Sequence, residues 1–284
     1  MENIGSTVHL EQMVGGAYSL YAAHMVERLG GVHIFVADDR DSAAYLVNDL
    51  YELLDEEHVG FFASGYKRSA AYGAEDAQGI VRRTAALNAI KNFKRGYLVI
   101  CTYPEALAES VADEERLAEQ SLHLAVGDTM QQASLVEWLS THNFTRVDFV
   151  YEPGQYSVRG GLVDIFSYVE SKPYRVDFFG DVIDSLRRFD ISSQLSAERP
   201  DEVDIIPNML SDSGAAKRVS LATFAAEATW WMADGDHILR KIADIRKKVL
   251  ETAESEEDAE RLAQRVTSRQ RLLEELKGQT LVLR

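Results

Sequence analysis

At 284 residues and 46% hydrophobic content, the chain is long enough for two or three compact units that each bury a core. Its 30 basic and 46 acidic residues give a formal charge of −16, which disfavours the general attraction to phosphate backbones that Lys and Arg drive by displacing counterions. A single cysteine, Cys101, excludes an internal disulfide and offers no cluster for zinc. Residues 32–37 (VHIFVA) form a short apolar run rich in β-branched residues, which predicts a buried strand. Residues 38–42 then supply polar caps for a helix carrying Ala44, Leu46, Val47, Leu50, Leu53 and Leu54 at helical spacing. Residues 59–63 read as the next strand, 80–90 as a helix and 97–102 as a strand. Pro104 opens another helix at its first turn, where a missing N–H costs nothing, and 122–126 closes the series. Strands alternating with helices predict an open, mostly parallel sheet covered on both faces.

Gly127-Asp128 marks a change of pattern. Residues 129–141 predict an amphipathic helix with Met130, Ala133, Val136, Trp138 and Leu139. Short extended pieces follow without helices between them, at 146–151, 155–159, 162–166, 174–179 and 182–189. Hairpin-linked antiparallel strands fit that spacing, so 128–208 is expected to be an α+β unit. From Ser220 the pattern turns helical again, with Leu221, Phe224, Ala225, Ala228, Trp231 and Met232 at spacings of three and four. Ile238, Ile242, Ile245 and Val249 lie on one stripe, and acidic residues 252–260 read as a solvated helix face or turn. Residues 279–284 (QTLVLR) form a possible strand that pairs with the first sheet, which would make the second unit an insertion. The expected units are therefore 1–127, an α/β domain; 128–208, the α+β module; and 209–284, a mainly helical segment packing back on the first domain.

A glycine-rich turn at a helix N-terminus cradles phosphate when Lys and then Ser or Thr close the loop. Here Gly15, Gly16, Ala17, Tyr18 and Ser19 hold that place. If Ser19 is the hydroxyl, Tyr18 stands where the Lys should be, so the loop reads as degenerate and is not expected to bind nucleotide. Asp38 and Asp39 end the first strand, where an acidic pair could hold Mg²⁺; capping the next helix is the better use of them. The seven histidines never fall into metal-ligand spacing, no G-x-S-x-G elbow occurs, and no metal, cofactor or catalytic residue is expected. No basic start followed by an apolar run marks a secretory signal, and no window approaches 18 consecutive apolar residues. The expectation is a cytoplasmic protein with no membrane partner.

The stretch 151–190 differs from the rest, combining a tight glycine turn with basic and aromatic residues on short strands. Gly160-Gly161 permits a turn with positive φ that places Arg159 at a strand end. Arg175, Asp177 and Phe179 alternate with Val176 and Phe178, so one set faces the core and the other outward. Two readings fit. Arg and aromatic residues dominate protein–protein hot spots, so the row could be an interface. Equally, Arg159 and Arg175 could be surface ion partners for Asp164, Asp177 or Asp184, with Phe178 and Phe179 simple core.

Residues 158–166 (VRGGLVDIF) and 173–187 (PYRVDFFGDVIDSLR) resemble the UvrB-homology region, domains 1A, 2 and 1B, of bacterial transcription-repair coupling factors. Gly127-Asp128, Phe144-Thr145-Arg146-Val147, Phe189-Asp190 and Gln194-Leu195-Ser196 agree with it. The resemblance is specific over 122–207, collinear over 12–121 and faint beyond 215. It implies a degenerate P-loop-like parallel-sheet domain, an inserted α+β module like domain 2 of UvrB, and a helical segment completing the first domain. It also implies non-catalytic recruitment of UvrA, the damage-recognition ATPase of nucleotide excision repair. By resemblance, Arg159, Gly160, Arg175, Asp177, Phe178 and Phe179 fall on the positions used for that contact. Ser157 stands where UvrB tends to carry a further Arg. UvrB itself has an intact phosphate loop, whereas coupling factors have lost it, and Gly15, Gly16, Tyr18 and Ser19 match the lost form. The parent chain is then expected to be an ATP-dependent DNA translocase that reaches RNA polymerase and double-stranded DNA through regions absent here.

Overall fold

The computed structural model describes residues 7–10, 13, 16–67, 75–210, 218–232, 234–277 and 279–283. The chain divides into two compact units, one made of Met1–Glu114 with Ala215–Arg284 and the other of Glu115–Gly214.

The first unit is built on a six-stranded sheet. Its strands run in the order Thr7–His9, Thr280–Leu283, Thr229–Met232, Gly31–Val36, Tyr97–Thr102 and Val59–Phe61, with every neighbouring pair parallel. A parallel sheet is covered on both faces, so its central strands are continuously apolar: Ile34, Phe35, Val99, Ile100 and Trp230 are fully buried. The helix Arg40–Leu53 starts where the sequence places its cap, the Asp39 carboxylate accepting from the Ser42 N–H at 2.8 Å. Its buried stripe is Ala43, Val47 and Leu50, one residue off the Ala44 expected. At the sheet centre Trp231 stacks on Phe35 with centroids 4.9 Å apart, and its indole N–H donates to His33 Nδ1 at 3.1 Å. The other ring nitrogen, Nε2, faces the Gly30 carbonyl at 2.9 Å, which fixes a neutral tautomer.

Two sequence expectations change here. Residues 221–232 are not one helix. Only Leu221–Phe224 is helical, and Thr229–Met232 (TWWM) is a strand between Gly31–Val36 and Thr280–Leu283. Aromatic residues fill a half-pleated surface well, and burial at the sheet centre decided the matter over the spacing. The strand Leu122–Ala125 does not close the parallel sheet; it pairs antiparallel with Glu202–Ile205.

The second unit has its own six-stranded sheet, ordered Ser196–Glu198, Val182–Phe189, Tyr174–Phe179, Leu162–Ile165, Gln155–Arg159 and Thr145–Arg146. All pairs are antiparallel except the last, which is parallel. One face carries the core: Val163, Tyr174, Val176, Phe178 and Leu186 meet Leu135 and Leu139 of the helix Gln132–Thr141, with Leu124 and Val203 of the small two-stranded pair. The opposite face carries the polar row.

Candidate functional site

The alternation of Tyr174–Phe179 works as its pattern requires, with Tyr174, Val176 and Phe178 in the core and Arg175, Asp177 and Phe179 on the other face. A register shift in this hairpin could have exchanged the two phenylalanines. It does not, because the extra residue lies on the partner strand: Asp177 pairs with Ser185 and Phe178 with Ile183, which leaves Asp184 over. Phe178 is therefore core, and Phe179 is 82% exposed.

Two glycine turns frame that edge of the sheet. Gly160, at φ +60°, and Gly161 join Arg159 to Leu162 in a two-residue loop. A Cβ on Gly161 would stand 2.9 Å from the Phe178 carbonyl oxygen, and the Phe178 N–H donates to the Gly161 carbonyl at 2.9 Å. Gly160 is tied down from outside the sheet, its carbonyl accepting from Gln132 Nε2 at 2.8 Å. Gly180, at φ +64°, makes the matching turn after Phe179.

Across the strands, the outer face carries Ser157, Asp164, Arg175 and Arg187 in register. Asp164 is only 2% exposed and is the hub. It accepts from Arg175 through both oxygens, Nε to Oδ1 at 2.7 Å and an Nη to Oδ2 at 2.9 Å, and from Arg159 through Oδ2. Fork-to-fork pairing of that kind is the strongest geometry a carboxylate can have with a guanidinium. The Asp164 bond holds Arg175 protonated beyond the ordinary arginine range. Arg175 also reaches Gln194 Oε1 at 3.3 Å and stands 4.4 Å from the ring centre of Phe189, part of a small apolar cluster with Val150 and Phe166. Asp177 accepts from Arg187 at 3.1 Å.

The sequence-predicted residues thus fall into three classes. Arg175 is 14% exposed and neutralised by Asp164; Arg159 is 36% exposed and shares an already paired carboxylate; Phe179 stands free. Of the two readings left open from composition, the ion-pair and core reading holds for Arg159, Arg175 and Phe178 and fails for Phe179, which is exposed. Sequence reasoning named Asp164 as one of three possible ion partners, not as the buried hub shared by both arginines. It missed Phe149, whose ring lies 5.1 Å beneath the Arg159 guanidinium carbon. No periodic signal could have found it, because the segment is irregular: Val147 and Val150 both turn inward.

At the other glycine turn, Gly15 lies outside the described residues, and Gly16 caps the helix Ala17–Leu29 without a side-chain bond. Tyr18 is buried edge-on against Phe35, with centroids 6.4 Å apart, and the Ser19 hydroxyl donates to Asp49 at 2.7 Å. The two side chains that would complete a phosphate loop are thus turned toward the fold. Asp39 serves as a cap, and among the described residues no group of three or more His, Cys, Asp or Glu could hold a metal ion. No helix among them is long and apolar enough to cross a membrane.

Residues 122–210 match the family model of the UvrB interaction domain. Over 199 residues the chain is 28% identical to the transcription-repair-coupling factor of Escherichia coli, a match covering 70% of this chain and 17% of that protein. The Haemophilus influenzae factor is 27% identical over 198 residues, with the same coverage. The Myxococcus xanthus factor is 31% identical over 155 residues, covering 54% of this chain and 13% of that protein. The chain therefore spans less than a fifth of the length of these relatives. These similarities agree with the resemblance read from 158–187.

Proposed function

We propose, from the similarity to transcription-repair-coupling factors, that this chain recruits UvrA without catalysis of its own. The outer face of the small sheet in the second unit is the docking surface. The observation that carries the reading is Phe179: a phenyl ring 82% exposed at a hairpin tip, two residues from the Arg175–Asp177 row, within the stretch that matches the UvrB interaction domain. An aromatic anchor beside a cation is the usual composition of a protein–protein hot spot. The parent protein is proposed to reach RNA polymerase and double-stranded DNA through its other regions.

Purified UvrA mixed with the chain should co-elute on size exclusion. Phe179→Ala should weaken that complex by about 30-fold or more, the loss of roughly 2 kcal/mol from one desolvated anchor. Phe178→Ala is expected to act differently, through the folding stability of the second unit. Unchanged UvrA affinity in Phe179→Ala would remove the site. ATP with Mg²⁺ should give no binding heat, given a buried Tyr18 and a Ser19 hydroxyl held by Asp49.

A further inference from the structure

We infer that Phe149 is part of the same docking surface, as the platform that holds the Arg159 guanidinium toward an acidic side chain of the partner. This rests on the reading of the outer face given above.

Asp164 is already paired through both oxygens by Arg175. Arg159 adds a second guanidinium to the same carboxylate, so the three groups carry one surplus positive charge. That charge resides at Arg159, the more exposed of the two arginines. Its remaining N–H donors have no acceptor among the described residues, so they are open to a carboxylate brought by a partner. Arg175 is then a positioning residue. It satisfies Asp164 alone and lets Arg159 exchange its single bond without stranding a buried charge.

Phe149 decides where that free guanidinium points. It is 46% exposed with Arg159 over its ring, an arrangement worth more once a partner excludes water. The segment is not a loose loop end. Val150 is buried in the small cluster with Phe166 and Phe189, and the Val147 N–H donates to the Tyr156 carbonyl at 2.9 Å. The Tyr151 and Glu152 N–H groups both donate to Gln155 Oε1, at 2.8 and 3.1 Å. An aromatic ring fixed in water beside a surplus cation, on the face that also presents Phe179, offers a partner an apolar wall around one acidic group.

The test is UvrA affinity, measured by biolayer interferometry on the whole chain and on Phe149→Ala, Arg159→Ala and the double variant. Melting curves confirm folding, and Phe149→Leu replaces Phe149→Ala if the latter unfolds. The expected result is a loss of about tenfold or more for Phe149→Ala, with the double variant losing little beyond Arg159→Ala. Arg159→Lys should not restore affinity, since an ammonium lacks the flat face. Wild-type affinity in Phe149→Ala, or strictly additive losses, overturns the inference and leaves the Phe179 anchor standing. Failure of the unmodified chain to bind UvrA overturns both.

Discussion

At the scale of single residues, two buried polar groups show how differently the fold treats charge. Asp164 is ionised, buried and fully used, accepting from two guanidinium groups. Asp164→Asn keeps the volume but leaves Arg175 nearly buried without its bonded counter-charge, so the second unit should lose about 3 kcal/mol, measured by urea unfolding. Arg159→Ala removes only the more exposed partner and should cost about 1 kcal/mol or less. His33 is the opposite case. It is neutral by construction, Nδ1 accepting from Trp231 and Nε2 facing Gly30, and burial lowers its pKa below the ordinary 6.5. The unfolded chain then binds the proton that folded His33 refuses. Stability is complete above pH 6.5 and falls as pH drops below it, with a slope of at most about 1.4 kcal/mol per pH unit. Unfolding midpoints at pH 5 and pH 7.5 should differ in the native chain, and by less in His33→Asn.

At the scale of elements, what the sequence made legible follows from how local each cause is. The strands Gly31–Val36 and Tyr97–Thr102 are apolar runs ended by polar residues, and the Asp39 cap and Pro104 announce their helices. The hairpin Gln155–Arg159 to Leu162–Ile165 is written in Gly160-Gly161, a turn that needs no tertiary information. Three things were not local. Thr229–Met232 reads as helix by spacing, yet its two tryptophans are consumed at the centre of the parallel sheet. Leu122–Ala125 has the pattern of any short strand; its partner Glu202–Ile205 lies some 80 positions away, with His123 and Asp204 bonded across the pair at 2.9 Å. At the site, alternation gave the outward row of Tyr174–Phe179, but its energetics depend on Asp164 from the neighbouring strand and on an odd residue, Asp184, in the other. A row of outward arginines therefore looks free in sequence when each of them is bound to a carboxylate.

At the scale of the whole molecule, the organisation is one unit interrupted by another, and the interruption has a local signature. The chain leaves the first unit just after Val111–Ala112 and returns just before Arg218–Val219, and these two short strands pair antiparallel, Ala112 facing Arg218 and Val111 facing Val219. The exit and the return are thus clamped side by side within the first unit itself. The second unit, for its part, draws its main core from residues between Leu124 and Ile205 alone. Both conditions favour independent folding, since neither core lends the other its strands. Replacing residues 115–214 with a short Gly/Ser linker should leave a folded first unit, because a brief loop closes two strand ends that are already adjacent. A chain of 115–214 alone should likewise fold and keep UvrA affinity within about threefold of the whole chain, since Phe149, Arg159 and Phe179 all lie within it. Circular dichroism melting of the two pieces reads the first expectation and interferometry the second. If the excised first unit fails to melt cooperatively, the clamp formed by 111–112 and 218–219 is not enough to close it. If 115–214 folds but loses UvrA, the docking surface extends beyond the small sheet, and the row around Asp164 is only part of it.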